Sequence, residues 1–141
     1  MKDTPKVFKA ILTSLLASIV FALVHIAAYL ILGGAILLLS KIPLIGWIVD
    51  LLFYFRGDSP DIMLSLLCPV IAYIVTMATQ SAVNKDAPTR GLSCILHGVG
   101  IVLLQAVSLV LNLIYGDSIL TNVVLIITGC VIFYSGYGEM K

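Results

Sequence analysis

The chain has 141 residues, of which 61% are hydrophobic and 11% are charged, and its formal net charge is +1. Soluble domains are about 45–50% apolar and about 25% charged, and a small domain cannot bury such an excess of apolar side chains. The composition therefore excludes a soluble enzyme, a disordered chain and a coiled coil, and it indicates an integral membrane protein. Nucleic-acid binding is not expected either, because no basic excess is present to neutralise phosphates.

Three lysines begin the chain and a long apolar run follows them. The apolar part of a cleaved signal peptide is about 7–15 residues long, which is shorter than this run, so we predict a retained first span at residues 8–33. As one helix, residues 7–39 would reach about 50 Å. They either form a single tilted helix or stop or kink at the glycine pair 33–34. The lysines are Lys2, Lys6 and Lys9.

Residues 42–56 are the ambiguous part of the sequence. Their apolar stretch is too short to cross a bilayer and is interrupted by Asp50. Trp47 is a residue type that favours the headgroup level. We therefore predict an interfacial or re-entrant helix here. The alternative is a fifth span at residues 35–55, which would place Lys41 and Asp50 at membrane depth.

Three further spans are predicted, at residues 61–80, 91–115 and 118–136, because each is long and apolar enough to cross a bilayer as a helix. The sequence Ser-Pro-Asp at residues 59–61 is typical of a helix start. The sequence Gly-Asp-Ser at residues 116–118 predicts a tight turn. The last two spans should therefore form a hairpin.

The distribution of basic residues decides between four and five spans, since cytoplasmic loops carry an excess of lysine and arginine. Four spans with a cytoplasmic N-terminus place clearly more basic residues inside than outside, whereas five spans place nearly equal numbers on the two sides. We therefore predict an all-α integral membrane protein with a single polytopic domain. Its four transmembrane helices form an antiparallel bundle, with both termini cytoplasmic at the cell (inner) membrane. The inside basic residues are Lys2, Lys6, Lys9, Lys85, Arg90 and Lys141, and the outside ones are Lys41 and Arg56.

Each predicted span carries a stripe of small or weakly polar residues, the kind of face that packs against another helix in a membrane. These stripes either hold the bundle together or, in part, line a cavity or a subunit interface. The turn at Asp117 brings Asn112 and Asn122 to one depth, so we predict a hydrogen bond between them worth about 0.6–2 kcal/mol. The stripes are Ala10, Ser14, Ser18, Ala22, His25 and Tyr29 on the first span; Ser65, Pro69, Ala72, Thr76 and Thr79 on the second; Gly91, Gly98, Gln105 and Asn112 on the third; and Thr121, Thr128 and Ser135, beside Asn122, Gly129 and Gly136, on the fourth.

Ionisable residues inside a membrane are functional candidates by default, and here they are few. No Asp, Glu, Lys or Arg lies well inside any of the four predicted spans. The residues needed for a carboxylate-dependent proton exporter, a charged relay or a carboxylate metal site are therefore lacking. The three cysteines lie in apolar runs without the spacing of a disulfide framework or a zinc site, so we expect core residues.

Two histidines remain as candidates for chemistry. His25 and His97 should differ in depth by about 10 Å or more, so we do not expect them to ligate one metal or one haem. Gln105 should lie near the level of His25, in a neighbourhood that Tyr29 could join. No catalytic residue, metal ligand or cofactor is predicted. The candidates for binding a ligand or lining a pore are His25, Tyr29, Gln105, Asn112, Asn122 and His97.

Three classes of function are compatible with these features. The sequence favours a non-catalytic membrane partner or accessory subunit that acts through helix–helix interfaces, in contact with the lipid bilayer and with a second copy or another membrane protein. The alternative is a small oligomeric transporter or channel for neutral or lipid-like cargo, with His25 on its polar face. A membrane enzyme or cofactor binder, supported only by His25, His97 and Cys94, is the least favoured.

Overall fold

The computed structural model describes residues 4–39, 41–45, 47–48, 61–117 and 119–141. Within these residues the chain forms four long α-helices, each long and apolar enough to cross a membrane. The predicted all-helical, multi-pass membrane class is therefore confirmed. The helices are α1 (Thr4–Leu39), α2 (Asp61–Val83), α3 (Ala87–Tyr115) and α4 (Leu120–Met140).

Helix α1 is a single helix that continues through the glycine pair at residues 33–34 and ends at Leu39. The chain then turns, with the backbone N–H of Lys41 donating to the carbonyl oxygen of Leu38 at 3.2 Å. Residues 35–39 therefore belong to α1 and do not begin a separate fifth span. Of the two alternatives for the long first run, the single helix is the one that forms.

The predicted interfacial or re-entrant helix at 42–56 is only partly within the described residues. Residues 43–45 and 47–48 have helical backbone. The side chains of Leu44 and Trp47 are 74% and 64% exposed. Residue 46 and residues 49–60 lie outside the described residues, so the interfacial or re-entrant helix stays a prediction.

Helices α3 and α4 pack backbone against backbone at two glycine pairs. A Cβ atom added to Gly91 would lie 2.7 Å from the carbonyl oxygen of Gly136. A Cβ atom added to Gly98 would lie 2.6 Å from the carbonyl oxygen of Gly129. The seven-residue spacing seen in the sequence places both glycines of each helix on one face. Residues near the start of α3 thus meet residues near the end of α4.

Local signals fix both ends of α3. At its start, the carboxylate of Asp86 accepts hydrogen bonds from the backbone N–H and the hydroxyl of Thr89, at 3.2 and 2.6 Å. At its end, Gly116 adopts a left-handed conformation with a φ of 75° and donates its backbone N–H to the carbonyl oxygen of Asn112. A left-handed residue is the usual helix terminator, and glycine adopts it without strain. This cap lets α4 begin at Leu120, as the predicted tight turn requires.

The buried face of α1 differs from the predicted stripe. Helix α1 packs mainly on α2 and α3, and its buried arc is centred on Ala17, which is 1% exposed. Ser18, Ala22 and Tyr29 are exposed instead. Each residue step rotates about 100° around a helix. Because the buried arc is centred on Ala17, the predicted stripe lies at one edge of the surface that contacts α2 and α3. The buried residues of α1 are Ala10, Thr13, Ser14, Ala17, Phe21, Ala28 and Ile36.

Candidate functional site: a cavity between α1 and α3

A cavity of about 540 Å³ opens between α1 and α3, and Leu125 of α4 also lines it. Most of its lining is apolar, as expected for a site reached from lipid. Its polar lining consists of Ser18, His25, His97 and Gln105. This combination of an apolar wall and a few polar groups is typical of a small-molecule site.

His97 is the most deeply buried polar residue of the cavity lining, at 1% exposed. Its Nδ1 atom lies 2.9 Å from the hydroxyl oxygen of Ser18. Its Nε2 atom is buried and has no hydrogen-bond partner among the described residues. The sequence placed His97 near the inner interface, but the packing of α1 on α3 encloses its ring within the protein.

His25 lies further along α1 and also has a buried Nε2 atom without a partner in the described part of the chain. The ring of Phe21 contacts both imidazoles: it stacks on His25 at a centroid distance of 6.2 Å and meets His97 edge-on at 5.8 Å. Seven residues from Ser18 to His25 correspond to about 10 Å of rise along the axis of α1, so the backbone positions of Ser18 and His25 lie at different levels.

No group of three His, Cys, Asp or Glu side chains that could hold a metal ion occurs among the described residues. The cysteines are free thiols, and Cys68 and Cys94 are buried in the packed core. Cys94 lies three residues before His97, yet no hydrogen bond joins them within the described ranges. These observations give no geometry for nucleophilic or metal chemistry in this part of the chain.

The predicted contact between Asn112 and Asn122 is confirmed. The amide nitrogen of Asn112 donates to the side-chain oxygen of Asn122 at 2.7 Å. Asn122 in turn donates to the side-chain oxygens of Gln105 and Ser108, each at 2.9 Å. The sequence did not predict that these two residues would complete the network. The signal was available, because Gln105, Ser108 and Asn112 follow one another at helical spacings of three and four.

Gln105 and His25 line the same cavity, as the sequence predicted for their depths. No hydrogen bond joins them within the residues described, and the side-chain oxygen of Gln105 accepts a hydrogen bond from Asn122. Tyr29 is 41% exposed and does not line this cavity. The candidate site is therefore made of His25, His97 and Gln105, with Ser18 as an additional member.

A second polar cluster lies at the end of the bundle where α2 ends and α3 begins. Asn84 donates to Thr13 and to Gln80, each at 3.1 Å, and Ser93 donates to Gln80 at 3.0 Å. The predicted second span ends at Gln80, whereas α2 continues to Val83; Asn84 follows the helix, and the side chains of Gln80 and Asn84 are both buried. Thr76, Gln80 and Asn84 follow one another at intervals of four residues, and this helical spacing is the signal in the sequence that marks this face.

Arg90 connects three elements at the same end of the bundle. Its Nε atom donates to Glu139 of α4 at 2.6 Å, and its Nη1 atom donates to the backbone oxygen of Asn84 at 3.0 Å. From the sequence, Arg90 was only one of the basic residues that predict which loops are cytoplasmic. The ion pair holds the ends of α2 and α4 to the start of α3.

Among the described residues, the site has side chains that can contact a bound molecule but no set of side chains that would chemically transform it. It offers an apolar wall, two imidazole nitrogens without partners and an amide. Comparison of the chain with protein-family models, with curated proteins and with solved structures finds no match in any of the three.

Proposed function

We propose that this multi-pass membrane protein binds a neutral, lipid-like molecule in the cavity between α1 and α3 and acts as a small carrier for it. The cavity is lined by apolar side chains and by Ser18, His25, His97 and Gln105, and none of its lining residues carries a fixed charge. A charged molecule would enter without a compensating partner, which is costly in a low-dielectric site. Neutral cargo is therefore favoured.

The observation that carries the proposal is the cavity itself, whose largely apolar lining includes two uncharged imidazoles and an amide. The Nε2 atoms of His25 and His97 are both buried and lack partners among the described residues. Leaving a buried polar atom unpaired costs about 1–3 kcal/mol. A polar group that reached either nitrogen would offset that cost.

The membrane arrangement is part of the same proposal. We place the helices as an antiparallel bundle, with both termini cytoplasmic at the cell (inner) membrane and residues 42–56 at the outer interface. Support comes from the basic residues near the end where Asn84 contacts Thr13: Lys6, Lys9, Lys85 and Arg90 all lie close to that end in sequence. Membrane-impermeant labelling of cysteines added at both ends of the chain should find them on one side, whereas labelling from opposite sides would refute the arrangement.

A role as an accessory subunit, or assembly with a second copy, is the second candidate. One observation favours it: Ala27 and Gly34 are exposed on α1, seven residues apart, and small residues at that spacing allow another helix to approach closely. Against it, Gly91 and Gly98 of α3 and their partners Gly129 and Gly136 of α4 are already used in contacting each other. We give the carrier function the stronger support for that reason. Crosslinking between cysteines placed at Gly34 in a bilayer would favour assembly of two copies.

The test is a transfer assay with matched variants. In proteoliposomes, the protein should accelerate movement of a fluorescent diacylglycerol between leaflets, measured by albumin back-extraction. Ala22→Trp fills the cavity and should abolish the acceleration, because Ala22 lines it. Ala27→Trp adds the same ring to an exposed position of α1 outside the lining and should leave the acceleration intact. Absence of acceleration, or equal rates for the two variants, would refute a carrier function.

A further inference from the structure

Three exposed lysines lie near the point where the start of α1 meets the connection between α2 and α3. The Nζ atom of Lys6 is 3.9 Å from the carboxylate of Asp86. Lys9 lies one turn after Lys6 on the same side of α1, because residues three apart in a helix are neighbours, and Lys85 directly precedes Asp86 in the chain. After the hydrogen bonds from Thr89, the positive charges of both α1 lysines also lower the pKa of Asp86, so both act on this one carboxylate.

The charge of these three lysines is only partly neutralised within the described part of the chain. Lys9 and Lys85 form no ion pair with a described residue, and the ion pair of Lys6 is long and exposed to solvent. Glu139, the other described acidic residue at this end of the bundle, is already paired with Arg90 at 2.6 Å. Three lysines near one carboxylate leave an excess of two positive charges on this surface.

Apolar side chains of α1 are exposed beside the same lysines. Val7 and Phe8, between the two lysines of α1, are 43% and 62% exposed, and Ile11 is exposed one turn later. Helix α1 is long and apolar enough to cross a membrane, and lysines are too costly to place in the hydrocarbon region. The lysines should therefore lie at the level of the lipid headgroups, with the exposed apolar side chains next to the acyl chains.

We propose that the surface formed by Lys6, Lys9 and Lys85 binds the headgroup of an anionic phospholipid, whose acyl chains lie along the exposed apolar side chains at the start of α1. Lysines at the end of a membrane span attract anionic headgroups, whose negative charge compensates the positive excess. A lipid is favoured over a free anion or an acidic protein segment because its acyl chains also cover the adjacent apolar residues. The proposal does not depend on the carrier function, since none of the three lysines lines the cavity between α1 and α3.

The first test measures lipid preference beside these lysines by fluorescence quenching. The chain has one tryptophan, Trp47, so Trp47→Phe combined with Phe8→Trp places the only indole between the two lysines of α1. In mixed bilayers, brominated phosphatidylglycerol should quench this indole in preference to brominated phosphatidylcholine, with a relative binding constant of about five or more, the effect of one lysine near an anionic surface. Equal quenching by the two brominated lipids would overturn the proposal.

Matched variants separate this surface from the total charge of the protein. Lys9→Gln should lower the preference for phosphatidylglycerol by up to about fivefold, whereas Lys41→Gln, in the exposed turn after the other end of α1, should leave it unchanged. Asp86→Asn should raise the preference, because it removes a negative charge while asparagine still caps α3. Equal effects of the two lysine variants, or a preference lowered by Asp86→Asn, would overturn the proposal.

Ionic conditions distinguish a lipid headgroup from a free anion. About 0.5 M sodium chloride should reduce the preference, because salt screens exposed charges. Inorganic phosphate should displace no more lipid than sodium chloride does at the same ionic strength. A preference that high salt leaves unchanged would overturn the electrostatic basis of the proposal. Stronger displacement by phosphate would show that the lysines bind free phosphate and would overturn the lipid assignment.

Discussion

Replacing Gly98 by alanine should disrupt the close contact between α3 and α4. A Cβ at this position would lie 2.6 Å from the carbonyl oxygen of Gly129 and 2.8 Å from the backbone nitrogen of Phe133. An ordinary contact begins at 3.4 Å, so the shortfall is about 0.8 Å. Both obstructing atoms belong to the backbone of α4 and cannot rotate away, so the whole helix must move.

The expected cost follows from this geometry. Overpacking a well-packed interior costs about 1–3 kcal/mol, and we expect about 3 kcal/mol for Gly98→Ala because displacing α4 also loosens the contact between Gly91 and Gly136. Gly100 provides the control, since a Cβ there would meet nothing within 4 Å. Gly100→Ala should be neutral or stabilising by up to about 1 kcal/mol, through helix propensity alone.

The assay can use the thiols of the protein itself. Cys68 and Cys94 are buried free cysteines, so a fluorogenic maleimide reports their exposure during heating, in a Cys130→Ser background that removes the exposed thiol. Gly98→Ala should lower the unfolding temperature by roughly 10 °C, and Gly100→Ala should not lower it. Equal unfolding temperatures for the two alanine variants would refute close packing of α3 on α4.

Three further predictions concern polar groups, each measured by the same unfolding assay. Asn122→Leu should destabilise by about 1–3 kcal/mol, because it removes three hydrogen bonds at once; an unchanged midpoint would contradict the network. Glu139→Gln should destabilise by up to about 1 kcal/mol through loss of the partly exposed ion pair with Arg90, and about 0.5 M salt should shrink the difference. Hydrogen bonds from Thr89 hold the pKa of Asp86 below its usual 3.8, so its stabilisation is present above that pH and is lost as the pH falls through the lowered pKa; Asp86→Asn should flatten this acid dependence.

The α3–α4 hairpin is the part of the fold that the sequence predicts best. The turn predicted from residues 116–118 sets the relative depth of the two helices, and the seven-residue spacing of Gly91 and Gly98 sets their facing sides. Depth and side together predict the contact of Asn112 with Asn122, which the structure confirms. Local chemistry suffices here because the two helices are neighbours in sequence.

The orientation of α1 could not be predicted in the same way. In a membrane, the side of a helix that faces lipid is as apolar as the side that faces protein, so hydrophobic periodicity carries little information. Helix α1 has small residues on several sides, and its contact partners α2 and α3 are distant in sequence. Only packing around Ala17 and Phe21 decides the orientation, and this places Ser18 at the edge of the contact.

The composition of the candidate site was difficult to predict for the same reason, because it depends on the orientation of α1. The helical rise predicts that His25 and Gln105 lie at similar depths, and both line one cavity, but Tyr29, which was expected beside them, does not line it. A cavity arises where two helices separate, and that separation depends on packing that no single helix encodes. The role of Ser18 in orienting His97 could be found only once α1 was positioned against α3.

The most direct measurement of the central claim is to map where a neutral lipid-like molecule contacts the protein. A diazirine-bearing diacylglycerol, photoactivated in nanodiscs and located by mass spectrometry, should modify the cavity residues Ala22, Ile26 and Leu104, and excess unlabelled diacylglycerol should suppress these adducts. Adducts spread evenly over the outward faces, including the exposed Leu103 and Leu111, and insensitive to competition, would contradict a binding site between α1 and α3.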